Sequence, residues 1–425
     1  MSRRVSPNRA SRSALPALSP FSAKTKTPHW TQALTLDLII RVLHKTILHP
    51  FLAWLIPLCL RAQATPYSHP SFVATTAYAS ILSFLLLLNI LNKRIAYGLP
   101  RKVSLEDEVV LVAGGASGLG LLIAEIYGMR GVAVAVLDVR DVGGVGGVGM
   151  GGVEEWEEVH SVRYYRCDVG DWGEVERVKR MVEKELGTPT ILINCIAAPI
   201  NGMSITSLPP TAISYTIHSN LVSCFNILQQ FLPGMLSSPT GGTVVNLSSV
   251  VSYLTPAGLS DYVATKAAIS AVHKTVEAEL RVSGDNDRVK MLLIETGQMA
   301  TALFEAVKTP NNFFAPVLEP VQVAREIVAV VDSGNGGIIR LPAYGALVNW
   351  YAVLPVAIQR LARYLSGIDS AVGVGVEAEK RKGNGSERAM ASSDSISSEK
   401  EREKGKASSS SKGSDSDVEL IEADA

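Results

Sequence analysis

Residues Val109–Arg130 read VVLVAGGASGLGLLIAEIYGMR. An apolar run, VVLVA, passes into Gly114-Gly115-Ala116-Ser117-Gly118-Leu119-Gly120, and a helix-forming stretch follows. Glycines let the backbone turn tightly and come close to a pyrophosphate. The first turn of the helix adds free N–H groups and the positive end of its dipole. A glycine string alone carries little information. Between a strand and a helix it predicts a phosphate-binding turn. Gly114, Ser117, Gly118, Leu119 and Gly120 are its candidate contacts.

The next apolar run, Val132–Leu137, ends at Asp138. A carboxylate at that point suits a ribose 2′-hydroxyl and repels a 2′-phosphate, which favours NAD(H). Arg140, two residues on, leaves NADP(H) open. Further short apolar runs follow at Val162–Arg166, Thr190–Ile193, Thr243–Leu247, Val289–Ile294 and Ile338–Leu341. Helical stretches separate them, most clearly Glu174–Leu186, where Val175, Val178, Met181, Val182 and Leu186 share a face. Strands alternating with helices imply parallel βαβ units, and so an α/β domain with one doubly wound sheet over residues 101–341. The glycine-rich stretch Asp141–Gly152 has no strand–helix context and reads as a flexible insertion.

A second informative stretch is Gly242–Ala268, GTVVNLSSVVSYLTPAGLSDYVATKAA. It reads as a buried strand, a turn through Thr255-Pro256-Ala257-Gly258, and a helix carrying Tyr262 and Lys266. Residues four apart share a helix face. An ammonium beside a phenol favours the phenolate, which predicts a lowered Tyr262 pKa and a general acid/base role. Ser249, at the end of the strand, is placed to hydrogen-bond the same substrate oxygen. A Tyr–Lys pair alone is common by chance, so its weight comes from the rest of the chain.

Together these segments resemble the short-chain dehydrogenase/reductase family over about Glu108–Leu341. Ala113–Gly120 looks like the family's TGxxxGxG, and Cys167-Asp168-Val169 like its adenine-contacting Asp-Val. Asn194-Cys195-Ile196-Ala197 stands where NNAG is expected. Asn220 falls where the family keeps an active-site Asn, and Ser249, Tyr262 and Lys266 fall at its Ser and YxxxK positions. Thr296-Gly297, with Thr301, resembles the PGxxxT segment that contacts the nicotinamide. The resemblance implies a Rossmann-type fold and hydride transfer between a nicotinamide cofactor and an alcohol carbon. It implies Tyr262 as proton donor or acceptor, Lys266 on the nicotinamide ribose, Asn220 holding a water, and Asn194 at the cofactor. A homodimer pairing the helices of Asn220 and Tyr262 is implied too. Ala113, Cys195, Ile196, Ala197 and Thr296 depart from the pattern, all on the cofactor side. A membrane-attached binding protein that keeps the fold without catalysis therefore stays an alternative.

Outside this region the chain is unlike a soluble enzyme. Ser71–Leu91 is uncharged, long enough to cross the hydrocarbon core, and followed by Lys93 and Arg94. A shorter apolar run, Ile47–Leu60, contains Pro50 and Pro57. Basic residues cluster before the first run and after the second, with only Arg61 between, so a hairpin or re-entrant segment would leave both basic flanks in the cytosol. Residues 29–100 are thus the expected membrane anchor, too far from the start to be a cleaved signal. Residues 1–28 are rich in Ser, Arg and Pro and carry no acid; disorder or an organelle transit peptide would share that composition. Residues 371–425 are Ser-rich with mixed Lys and Glu and are expected to be disordered. The uncharged run Leu341–Ile358, within the apolar segment 342–370, leaves three readings open: an interfacial helix, a lid over the substrate pocket, or a core helix.

Forty basic and forty acidic residues balance exactly in sign, so charge gives no argument for nucleic acid. Cys59, Cys167, Cys195 and Cys224 show no ligand spacing and read as reduced, buried residues; no metal site is expected. His218 and His273 lie on expected helices, where a partner or surface role is expected and not a catalytic one. The anchor, the TGQMATALFEAVKTPNNFFAPVLEP segment and the apolar stretch near the C-terminus resemble membrane-anchored members acting on lipid alcohols and ketones, such as the retinol and 17β-hydroxysteroid dehydrogenases. The expected substrate is therefore a lipophilic alcohol or its ketone or aldehyde. Reduction of 3-keto acyl chains or sphingoid bases is the alternative. The endoplasmic reticulum or lipid-droplet surface is the expected location, with the mitochondrion second.

Overall fold

The computed structural model describes residues 34–140, 161–309 and 311–372. The expected basic tail, the insertion Asp141–Gly152 and the C-terminal tail from residue 373 lie outside the described residues. Seven strands form one all-parallel sheet: β1 Val109–Ala113, β2 Ala133–Asp138, β3 Val162–Arg166, β4 Ile191–Asn194, β5 Gly242–Ser249, β6 Val289–Thr296 and β7 Gly337–Leu341. Their spatial order is β3-β2-β1-β4-β5-β6-β7. The order reverses between β1 and β4, so their carboxyl ends open a crevice where ligands bind in such sheets.

Burial explains why these runs read as strands. Every residue of β1, β4, β5 and β6 is buried, because helices cover both faces. The edge strand β3 instead alternates buried and open positions. One apolar cluster packs Ile123, Ala124 and Tyr127 beneath Val110, Val112 and Val136. The opposite face is filled by Val175, Val178 and Val182 with Ile227, Phe231 and Ile269.

The amino end of the sheet is stapled by polar groups. Arg101 pairs bidentately with Glu108 at 2.7 and 3.0 Å and donates to Thr243 Oγ1 at 2.8 Å. The Arg101 and Glu108 side chains are almost fully buried. Burying two charges is costly unless their hydrogen bonds are complete, and here Thr190 donates to Glu108 as well. The network ties β1, β4 and β5 at the end opposite the crevice.

Ahead of the sheet stand α1 Leu36–Lys45, α2 Pro50–Ala62 and α3 Pro70–Tyr97. α1 and α2 meet at a bend of 49°. α2 packs on α3, with Trp54 Nε1 donating to Ser83 Oγ at 2.9 Å and Tyr78 Oη to the Ile47 carbonyl at 2.7 Å. Among the described residues α3 is the one helix that, unbroken, has the length and composition to cross a membrane. Its 28 residues extend for about 42 Å, and of these only Ala79 is buried. Phe84, Leu85 and Leu87 stand open. In water so much bare apolar surface would be strongly unfavourable.

Candidate active site

The turn Gly114–Gly120 joins β1 to α4, Gly118–Met129. Gly114, Gly115 and Gly120 are required by close approach. A Cβ on Gly120 would sit 2.4 Å from the Gly114 carbonyl oxygen. Gly114 adopts φ +74°, and a Cβ there would press on the backbone of Cys195 and Ile196. Ser117 is the N-cap of α4 but its side chain makes no capping bond, so the first-turn N–H groups remain available to an anion. Asp138, at the carboxyl end of β2, accepts from the Ala116 N–H at 3.1 Å and the Arg140 N–H at 3.2 Å. A cradle that a Cβ on Gly114, Gly115 or Gly120 would fill, an uncapped helix start and a carboxylate held beside them fit a nicotinamide dinucleotide.

β5 ends at Ser249. A short helix, Val251–Leu254, and Thr255 in the left-handed conformation then turn the chain into the long helix α9; between α4 and it lie α5 Trp172–Glu185, α6 Pro210–Ile217, α7 Ser223–Ser237 and α8, the short helix itself. α9 spans Ser260–Ser283 and carries Tyr262 and Lys266, both buried. Lys266 Nζ donates to the main-chain carbonyls of Leu247 at 3.0 Å and Ile196 at 3.3 Å. It stands 5.7 Å from the Tyr262 ring centroid. Ser249 Oγ donates to the Thr296 carbonyl at 2.8 Å. Asn220 lies in a π-turn, His218–Val222, between α6 and α7. Such turns recur at functional sites. Its Oδ1 accepts from the Ala198 N–H at 2.6 Å, and its Nδ2 donates to Thr265 Oγ1 at 2.9 Å. Both ends of the Asn220 side chain are thus engaged, so its amide braces the loop after β4 against α9.

The electrostatics depart from the expectation drawn from the Tyr–Lys spacing. Burial pushes Tyr262 well above its ordinary range. Burial also lowers Lys266 to about 8, against smaller opposing effects of Cys195 and Cys224. The reason is geometric: Lys266 directs its protons to carbonyl oxygens and not to the phenol. In the protein alone, desolvation of both groups outweighs their mutual attraction.

The other candidates fall around the same crevice. Asn194 ends β4 and accepts from the Ile196 N–H at 3.2 Å. Asp168 accepts from the Gly170 N–H at 2.9 Å, and Val169 is buried beside it. A Cβ on Gly118 would come 3.9 Å from Thr301 Cγ2, which puts Thr301 beside the glycine turn. Gly297 has a packing reason of its own, since a Cβ there would lie 2.8 Å from Pro342 Cδ. The residues that depart from the family pattern serve largely through their backbone: Ile196 and Thr296 offer carbonyls, which any side chain would leave in place.

Sequence reasoning missed three supports. Thr265 joins Asn220 to the Tyr262 carbonyl, donating to the latter at 2.8 Å. Ser248 donates to the Lys266 carbonyl at 2.8 Å and accepts from Ser270 at 2.7 Å. Asp261 accepts from Asn201 at 2.6 Å and Thr216 at 3.0 Å. Nothing but proximity to the Tyr–Lys pair marks Thr265 and Asp261 in the sequence. His273 is buried and not at the surface, with its ring nitrogen 3.1 Å from that of the Asn246 amide. Burial, then the Lys274 charge, lowers it to about 4. Cys167 and Cys224 are buried, while Cys59 is exposed on α2, contrary to the expectation of burial; all four cysteines are free. Among the described residues no cluster of His, Cys, Asp and Glu could hold a metal ion.

A doubly wound parallel sheet with a glycine cradle and a buried Tyr–Lys pair defines a nucleotide-dependent oxidoreductase. Residues 108–312 match the family model of the short chain dehydrogenases. Human short-chain dehydrogenase/reductase 3 is 30% identical over 273 residues, covering 63% of this chain and 87% of that protein. Epidermal retinol dehydrogenase 2 of Mus musculus is 28% identical over 254 residues, covering 59% of this chain and 78% of that protein. An uncharacterized oxidoreductase of Saccharomyces cerevisiae is 26% identical over 267 residues, covering 62% and 83%. The chain belongs to the short-chain dehydrogenase/reductase family. It is an oxidoreductase acting on CH–OH donors with NAD(P) as acceptor.

Proposed function

We propose that the protein is a membrane-anchored, NAD(H)-preferring oxidoreductase that interconverts a lipophilic alcohol with its ketone or aldehyde. The carrying observation is the placement of Tyr262 and Lys266, buried on one helix that follows Ser249 at the carboxyl end of the sheet. Tyr262 takes the proton during oxidation and returns it during reduction. Lys266 anchors this end of the site through the Leu247 and Ile196 carbonyls and would hold the nicotinamide ribose. Ser249, rotating from the Thr296 carbonyl, hydrogen-bonds the substrate oxygen as charge develops. Asn220 braces the site through Ala198 and Thr265. When bound, the oxidised cofactor supplies the hydride acceptor and a positive ring, which would offset the burial that raises Tyr262.

Gly114, Ser117, Gly118, Leu119 and Gly120 would hold the pyrophosphate. Asp138 would meet the ribose hydroxyls and disfavour a 2′-phosphate; Asp168, Val169, Asn194, Gly297 and Thr301 would complete the cofactor's surroundings. Support for a lipid substrate comes from the exposed apolar surface of α1–α3 and from the retinol dehydrogenase in the name of a relative. The basic flanks of the apolar helices favour an anchor whose catalytic domain faces the cytosol, at the endoplasmic reticulum or a lipid droplet. A homodimer through α9 and the helical stretch that carries Asn220 is part of this reading. The test is turnover of the detergent-solubilised full chain with NAD and with NADP against retinoids, steroids and long-chain alcohols. Activity with NAD on at least one of these classes is expected. Activity confined to short water-soluble alcohols would overturn the lipid reading.

A further inference from the structure

After β7 the chain does not end at the sheet. Residues 343–347 lead into α11, Val348–Val353, and α12, Val356–Ser366; α10, Pro320–Asp332, is the helix that precedes β7. The inner side of this segment is fastened to the loops at the carboxyl end of the sheet. α11 packs on the short helix Val251–Leu254. Arg363 donates to the Leu254 carbonyl and, at 2.9 Å, to that of Thr255. Its Nε also donates to Asp369 at 3.0 Å, and Asp369 in turn accepts from the Ala257 N–H at 3.2 Å. Further on, the Ala371 carbonyl accepts from the Lys308 N–H at 2.9 Å. A Cβ on Gly202 would meet Val372 at 2.9 Å. The segment therefore straps together the loops that follow β4, β5 and β6, including the link from Ser249 to Tyr262.

Its outer side is apolar and bare. Trp350 is 71% exposed, Val353 75% and Leu365 74%, with Val356, Leu361 and Tyr364 beside them. Residues 343–367 contain no acidic side chain, and with Arg363 bound on the inner side to Asp369 their remaining cation is Arg360. Aromatic and aliphatic side chains with an arginine and no acid suit an anionic lipid surface and not water. α1 joins the body at this same end: the Leu36 N–H donates to the Phe313 carbonyl at 2.9 Å, and Asp37 accepts from the Ala343 N–H, whereas the carboxyl end of α3 meets the opposite end of the sheet, where Lys290 Nζ donates to the Tyr97 carbonyl at 3.1 Å. α1 also packs on residues 343–347, and Ile47, two residues beyond α1, meets Tyr78 of α3.

We infer that α11 and α12 form a bilayer-docking surface that sets the mouth of the site against the lipid. The inference rests on the membrane reading of α1–α3. A substrate dissolved in the bilayer then reaches the crevice beneath the strap without crossing water.

The test uses the full chain in vesicles of phosphatidylcholine and phosphatidylserine. An environment-sensitive dye is placed at Val353→Cys in a Cys59→Ser background. The control position is Val282→Cys, 90% exposed at the far end of α9. Docking predicts that a lipid-borne nitroxide quenches the dye at 353 and that aqueous iodide reaches it severalfold less than at 282. If the chain floats with vesicles while iodide quenches both positions alike, the docking surface is overturned and the anchor stands. If the chain does not float with vesicles, the membrane reading fails and takes the docking surface with it. A dye at 353 that is shielded equally in detergent and in vesicles, with crosslinks between chains, would assign the face to a second copy and overturn the proposal. As a functional readout, Trp350→Glu with Leu361→Glu raises KM for a bilayer-dissolved substrate about tenfold and leaves turnover of a short water-soluble alcohol unchanged.

Discussion

Lys266 Nζ lies 5.7 Å from the centroid of the Tyr262 ring and spends its protons on the carbonyls of Leu247 and Ile196. The pair is thus joined through the frame of the site more than through a direct bond. Removing the phenol hydroxyl should leave that frame intact. Tyr262→Phe is expected to lower kcat by about a hundred- to ten-thousandfold, the usual worth of a positioned general acid/base. Nucleotide affinity, read by fluorescence titration with NADH, should stay nearly unchanged. Activity near the unsubstituted level would overturn the mechanism.

Burial lowers Lys266 to about 8 from an ordinary 10.5. The unfolded chain therefore binds more protons than the folded one between those values. Stability from this group rises with pH through that window and is lost as pH falls through the folded value. Comparing Lys266→Met with the parent by denaturant unfolding, the stability difference should move in the parent's favour by up to about 3 kcal/mol between pH 7 and pH 11. A difference independent of pH would mean that Lys266 is not held in a desolvated site.

Asp138 is oriented by two backbone N–H groups at the end of β2. Asp138→Ser removes the charge that would oppose a 2′-phosphate. The ratio of kcat/KM for NADP to that for NAD should rise by at least about tenfold, equivalent to some 1.4 kcal/mol. An unchanged ratio would assign the choice of cofactor to other residues.

A side chain on Gly120 has no space, because the clash is with main chain and not with a flexible neighbour. Gly120→Val is expected to abolish nucleotide binding in a calorimetric titration. It should also destabilise the fold by about 1–3 kcal/mol, the usual range for overpacking.

Asn220→Ala would strip the Ala198 N–H of its acceptor and Thr265 of its donor in a buried region. An orphaned buried group costs about 1–3 kcal/mol. The measured Tm should fall, and kcat should fall with it because the loop after β4 loses its tie to α9. Asn220→Asp, which keeps the acceptor to Ala198, should recover part of the stability.

Much of this was legible in the chain. The apolar run at Val109–Val112 marks β1 to within a residue, because a strand covered on both faces has to be written as a continuous apolar run; the edge strand β3, with Arg163 and Arg166 at open positions, also falls at the expected Val162–Arg166. β5 and β6 extend two residues past the expected Leu247 and Ile294, through Ser248-Ser249 and Glu295-Thr296. Those polar residues are buried at the crevice, where hydropathy gives no sign of a strand. The bend between α1 and α2, the π-turn at Asn220 and the partners of Asp261 had no local signature either.

By itself the sequence determined the alternation of strand and helix, the glycine turn, the Tyr262–Lys266 spacing and the apolar length of α3. These are local properties, set by periodicity, by the absence of a Cβ and by composition. The tertiary structure alone decided that Lys266 would face carbonyls instead of the phenol, and that burial would raise Tyr262 where the pairing implied the reverse. It also decided that Arg363, about a hundred residues from Leu254 and Thr255 in the chain, would clasp the loop between Ser249 and Tyr262. Desolvation and long-range hydrogen bonds depend on what surrounds a group in space, and that is settled only when the chain has closed around it.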